Sequence, residues 1–114
     1  MRTPVLLLLL ASGGALFAEE SAQRQIDFGL KVAQKGLWQE ARFRFERAIA
    51  LDPANAAAYN DLAVSLEQMG EFDKARECYE KALALKPKDM YIQQNFDLFR
   101  EADDKRNRKS RRKK

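Results

Sequence analysis

A chain of 114 residues with no His, a single Cys, three Pro and five Gly has room for one small domain. It lacks the commonest general base and metal ligand, and it cannot form an internal disulfide. The net charge of +4 conceals two regions: residues 19–104 hold twelve Lys/Arg against seventeen Asp/Glu, while residues 105–114 hold eight Lys/Arg and no acid.

The chain opens on MRTPVLLLLLASGGALFA, residues 1–18. Arg2 supplies a positive start, Val5 to Ala11 an apolar run, and Ser12-Gly13-Gly14 a break before small residues. This is the three-part layout of a secretory signal peptide, and its apolar stretch is short for a membrane span of about 20 residues. Cleavage after Ala18 is the first choice and leaves Glu19 as the new N-terminus, although Leu16 lies where a small residue is preferred. Cleavage after Ala15, with Gly13 two positions before it, fits the small-residue rule better. Retention as an N-terminal anchor with the body outside is the competing reading. The expectation is an exported chain, periplasmic or secreted.

Beyond the leader, Ala, Leu, Glu, Lys, Arg and Gln dominate, the residues that lose least entropy in a helix. Shifting the chain by 34 positions aligns residues 22–55 with 56–89 and gives eleven identities, among them Gly36/Gly70, Ala41/Ala75, Ala48/Ala82 and Pro53/Pro87. Helical bias alone cannot place Gly and Pro in register. Each unit reads as two helices. The first runs from about Ala22 to Lys35 and again from about Ala56 to Met69, with Ser21 and Asn55 as N-caps and Gly36 and Gly70 as stops. The second starts near Trp38 and Phe72. Trp38, Ala41, Phe45 and Ala48 mark one face, repeated by Phe72, Ala75, Tyr79 and Ala82, and Pro53 and Pro87 end it. Gly29 and Ala63 sit opposite Ala41 and Ala75, so small meets small where the helices approach. A last helix is expected from about Met90 to Asp104, with Asp89 as its N-cap and Ile92, Phe96 and Phe99 on its apolar face. The lone Cys78 reads as a small helix residue, and Phe43, between Arg42 and Arg44, as an exposed ring.

This pattern resembles the tetratricopeptide repeat family. The second unit carries the family's spaced residues as Tyr59, Leu62-Ala63, Leu66, Ala75, Tyr79, Ala82 and Pro87. The first carries them as Phe28-Gly29, Val32, Ala41, Phe45, Ala48 and Pro53. The resemblance implies an all-α fold: a short right-handed α-solenoid of two antiparallel helix hairpins, residues 22–55 and 56–89, closed by a solvating helix over 90–104. Two departures stand out. Gln25 replaces an aromatic that would pack on a preceding repeat, as suits a capping unit. Leu37 replaces the polar residue usual at that turn.

Family members bind extended peptides or partner helices in the concave groove lined by the first helix of each repeat. By register, that face would comprise Gln23, Ile26, Leu30, Ala33 and Gln34, then Ala57, Asn60, Val64, Glu67 and Gln68, completed by Tyr91, Asn95 and Leu98. Some members grip a C-terminal carboxylate with Lys, Asn and Arg. Here Asn60 and Asn95 have no Lys or Arg in register, and Glu67 would repel a carboxylate. The resemblance therefore implies a non-catalytic scaffold for a protein or peptide, with no cofactor and no catalytic or metal-binding residue. The sequence itself offers no phosphate loop and no metal-ligand spacing.

Lys105, Arg106, Arg108, Lys109, Arg111, Arg112, Lys113 and Lys114 form a basic tail, expected to be too self-repelling to fold alone. An alternative function lies there: attachment to anionic lipid or envelope polymer, with the repeats as spacer. Nucleic acid is disfavoured because the leader directs the chain outside. A solubilising role is the plainer reading. Two repeats are few for a stacked array, so marginal stability or weak self-association through a bare hairpin face is a further expectation.

Overall fold

The computed structural model describes residues 20–114; the leader expected at residues 1–18 lies outside them. The described residues form five helices and no strand: α1 (Ala22–Gln34), α2 (Trp38–Leu51), α3 (Ala56–Gln68), α4 (Phe72–Leu85) and α5 (Met90–Arg112). Each of α1, α3 and α5 is started by a side chain that satisfies a free backbone N–H. Ser21 Oγ accepts from Arg24 N at 3.2 Å, Asn55 Oδ1 from Ala58 N at 3.1 Å and Asp89 Oδ1 from Ile92 N at 3.0 Å.

The turns inside the two hairpins are built alike. Gly36 and Gly70 take φ of 75° and 78°, a left-handed backbone that glycine adopts without steric cost. The following N–H closes the loop backwards, Leu37 N to Val32 O at 3.0 Å and Glu71 N to Leu66 O at 2.9 Å. The turn itself uses only the backbone of that residue, so it accepts Leu37 in one hairpin and Glu71 in the other. The Leu37 side chain stays exposed, whereas Glu71 accepts from Arg42 at 2.6 Å.

Helices pack in chain order, α1 on α2, α2 on α3, α3 on α4, and α4 on α5. The larger of two apolar clusters runs through them, from Ile26, Ala41 and Phe45 through Leu62, Leu66, Ala75 and Tyr79 to Phe96 and Phe99, and a smaller one joins Ala56, Ala82 and Ile92. At Gly29 the small residue was expected to face Ala41, but the nearest side chain is the ring of Phe45, so close that a Cβ there would stand 2.5 Å from Phe45 Cε1. At the far end Tyr79 packs against Phe96 and Phe99, with ring centroids 5.6 and 5.3 Å away. Rings at these distances contribute about 0.5–1.5 kcal/mol per pair beyond the area they bury. Position in the array decides burial. End helix α1 buries Ile26 and Gly29, whereas α3, flanked on both sides, buries seven residues from Ala56 to Leu66.

The last helix departs from expectation. It does not stop near Asp104 with an unfolded basic tail behind it, but continues to Arg112. Three interactions account for the extension. Asp103, buried, accepts from Arg76 at 2.7 Å and from Arg106 at 3.0 Å. The Arg106 guanidinium lies 3.5 Å from the centre of the Phe72 ring, which ties the first basic turn to α4. Lys109, Arg111 and Arg112 then sit in the last turn, where the helix dipole favours cations.

Candidate groove and family membership

The first helix of each hairpin, together with the start of α5, frames a shallow pocket of about 230 Å³ lined by Leu30, Ala33, Gln34, Trp38, Phe45, Asp61, Val64, Ser65 and Tyr91. Five residues expected from register line it: Leu30, Ala33, Gln34, Val64 and Tyr91. The structure places the other eight elsewhere. Ile26 is buried in the core, because this position points at the next inner helix rather than into the groove. Asn60, its counterpart one repeat later, is also buried and accepts from Asn95 Nδ2 at 3.2 Å, so both amides are consumed in holding α5 to α3. Glu67 accepts the Tyr79 hydroxyl hydrogen at 3.0 Å. Gln23 donates to Asp27 at 2.9 Å within α1. Ala57 and Gln68 are exposed outside the pocket, and Leu98 joins Met90 and Tyr91 on an outward apolar patch of α5.

Register reasoning missed four lining residues, Trp38, Phe45, Asp61 and Ser65. Ser65 is spent locally, its hydroxyl donating to Asp61 O at 3.1 Å. Asp61 is the chemically informative one. Its carboxylate is partly buried and accepts a single long hydrogen bond, from Asn60 Nδ2 at 3.4 Å. Burial among apolar walls pushes the Asp61 carboxyl up to about 6, with no cation drawing it back. The signal for it in sequence was the Asp27/Asp61 identity between the repeats.

Sequence models for repeats of this kind match two stretches: one described as a tetratricopeptide repeat over residues 56–89, and one described as a TPR repeat over 29–70. The chain belongs to the tetratricopeptide repeat (TPR) family. No curated protein matches it. Among solved structures it is similar to the Sgt2 TPR domain from Aspergillus fumigatus, with a TM-score of 0.72 and 18% identity over 77% of this chain and 60% of that one. It is similar to the MamA protein with a TM-score of 0.67 and 34% identity over 77% of this chain. It is also similar to the second TPR of Spaghetti (RPAP3), solved bound to the HSP90 peptide SRMEEVD, with a TM-score of 0.70 and 21% identity over 82% of this chain and 87% of that one. The chain spans 60% of the Sgt2 domain structure and 48% of MamA. The described residues thus form a TPR array of two repeats and a capping helix.

Away from the groove, Lys105, Arg108, Lys109 and Arg112 line one side of the end of α5 at helical spacing. Arg106 turns inward to Asp103 and Phe72, while Arg111, Lys113 and Lys114 are exposed. Cys78 is half-buried, and burial pushes its thiol up to about 11, which disfavours the thiolate at neutral pH. No helix among the described residues is long and apolar enough to cross a membrane.

Proposed function

We propose that this TPR protein is an exported, non-catalytic adaptor that receives a peptide or partner helix in the groove between α1, α3 and α5. The observation that carries this reading is the groove's composition. Leu30, Val64 and Tyr91 keep apolar surface open to solvent around a concave pocket, while neighbouring polar positions such as Asn60, Glu67 and Asn95 are tied up internally. Exposed apolar surface that the chain does not use for itself marks a partner site. The peptide-bound Spaghetti structure shows the same fold engaging a peptide in that protein. An acidic C-terminal tail suits this groove poorly, because the partly buried Asp61 would repel it.

Export rests on the leader. N-terminal sequencing of the mature protein distinguishes its readings: Glu19 or Leu16 first indicates cleavage, and Met1 first indicates a retained anchor. Affinity capture with the intact chain and with Leu30→Glu/Val64→Glu tests the groove. Partners recovered equally by both would refute it.

A second reading has its own observation. Lys105, Arg108, Lys109 and Arg112 present a preformed row of cations, suited to anionic lipid or envelope polymer. Residues 105–114 contain no apolar side chain, so such binding would be electrostatic without insertion. Deleting 105–114 should abolish salt-sensitive cosedimentation with phosphatidylglycerol vesicles; unchanged cosedimentation would remove this reading.

A further inference from the structure

We infer that the groove selects a polypeptide segment that presents a Lys or Arg side chain beside an apolar one, with the cation seated on Asp61. The inference rests on the groove reading above and specifies its ligand. Its basis is the contrast between Asp61 and the other inward-facing acids. Asp103 is held by Arg76 and Arg106 at 2.7 and 3.0 Å, Glu71 by Arg42 at 2.6 Å, and Glu67 by the Tyr79 hydroxyl at 3.0 Å. Among the described acids, only Asp61 faces the pocket, with one 3.4 Å amide contact. Its own helix, α3, contains two acids and no base, so no cation on α3 competes for it.

Removing a carboxylate from water without a partner costs free energy, which an incoming cation restores. The walls suit the rest of such a side chain. Leu30 and Val64 can cover the aliphatic stem of Lys or Arg, and Tyr91 and Trp38 also line the pocket. The adjoining apolar residue would cover Leu30, which is 42% exposed in the free protein. The basic segment of a second copy is the wrong occupant. Residues 105–114 offer cations in abundance but no apolar side chain to cover that surface.

The test is fluorescence anisotropy on the full chain with capped heptapeptides of Ala and Leu carrying Lys, norleucine or Glu at the centre. The Lys peptide should bind about tenfold more tightly than the norleucine peptide, and the Glu peptide should bind least. Asp61→Asn should bring Lys and norleucine within about twofold while leaving the norleucine affinity unchanged. Equal binding of Lys and norleucine to the intact chain, or a Lys preference that survives Asp61→Asn, overturns the inference and leaves the groove standing. Failure of all three peptides to bind overturns both. Self-association in sedimentation that Asp61→Asn abolishes would assign the site to a second copy, and so overturns the choice of a foreign segment.

Discussion

On the cap side of this array, α4 and α5 meet through groups that the chain itself pairs, with Arg106 Nε the one buried side-chain atom left without a hydrogen bond among the described residues. Asp103 sits between Arg76 and Arg106, Arg106 covers Phe72, and Tyr79, Phe96 and Phe99 pack ring to ring. On the groove side, Asp61 has one long hydrogen bond, and Leu30, Val64 and Tyr91 keep apolar surface in water. Both sides use the same kinds of residue. The difference is whether the chain supplies both members of each pair. Where it does, the interaction serves stability; where it supplies one, the other must come from outside, and the free protein bears the cost.

The sharpest challenge to that contrast is Tyr79→Ala. Its ring is buried, joins both hairpin helices to α5 and donates to Glu67, so truncation should cost about 3–5 kcal/mol in urea unfolding. Next comes Asp103→Ala, which strips two arginines of their carboxylate. A loss of about 1–2 kcal/mol is expected, together with faster amide exchange from residue 104 onward while α1 to α3 keep their protection. Arg76 and Arg106 hold the Asp103 carboxyl below the usual carboxylate range. Its contribution is therefore present above the unfolded-state value and disappears as pH falls through the folded one.

Asp61→Asn should act in the opposite direction. The Asp61 carboxyl is raised from 3.8 to about 6, so folding favours its protonated form. Stability from this group is full below 3.8 and is lost as pH climbs through about 6. At pH 7 the asparagine variant should gain roughly 1–2 kcal/mol, a gain that vanishes in melts at pH 3.5. A loss of stability at pH 7 would show that Asp61 has an internal partner after all and would erase the contrast. The smallest effect belongs to Leu30→Glu. Its stability should change by no more than about 0.5 kcal/mol, since the side chain is 42% exposed, even as partner binding fails.

Much of the fold was legible because the repeat turns chain position into geometry. Ser21, Asn55 and Asp89 cap where expected, and Gly36 and Gly70 stop the first helices. Ile92, Phe96 and Phe99 cover the last hairpin. The groove was legible only in part, for a definite reason. Register says which side of a helix a residue occupies, but not whether the next helix has already claimed it. Ile26 and Asn60 share a register position and both are buried, one in the apolar core and one on Asn95. Glu67 was lost to Tyr79 in the same way. Asp61 was passed over because the repeat does not distinguish it from Asp27, its counterpart in α1, which the structure leaves exposed. Its significance depends on α5 and on the neighbouring hairpin. The basic end was misread because charge repulsion was weighed without Asp103 and Phe72, whose contacts to Arg106 lie outside that segment.

The capping helix also bears on how such a scaffold can be lengthened. α5 follows α4 as α3 follows α2, with a smaller contact, and Asp89 starts it as Asn55 starts α3. A copy of the 34-residue unit spliced in after Asp89 would therefore present α5 with the α4 surface it already fits. Each spliced unit would carry its own copy of Asp61. The array can be extended like a ruler from its closed end, adding one acidic notch per unit without redesign of the cap.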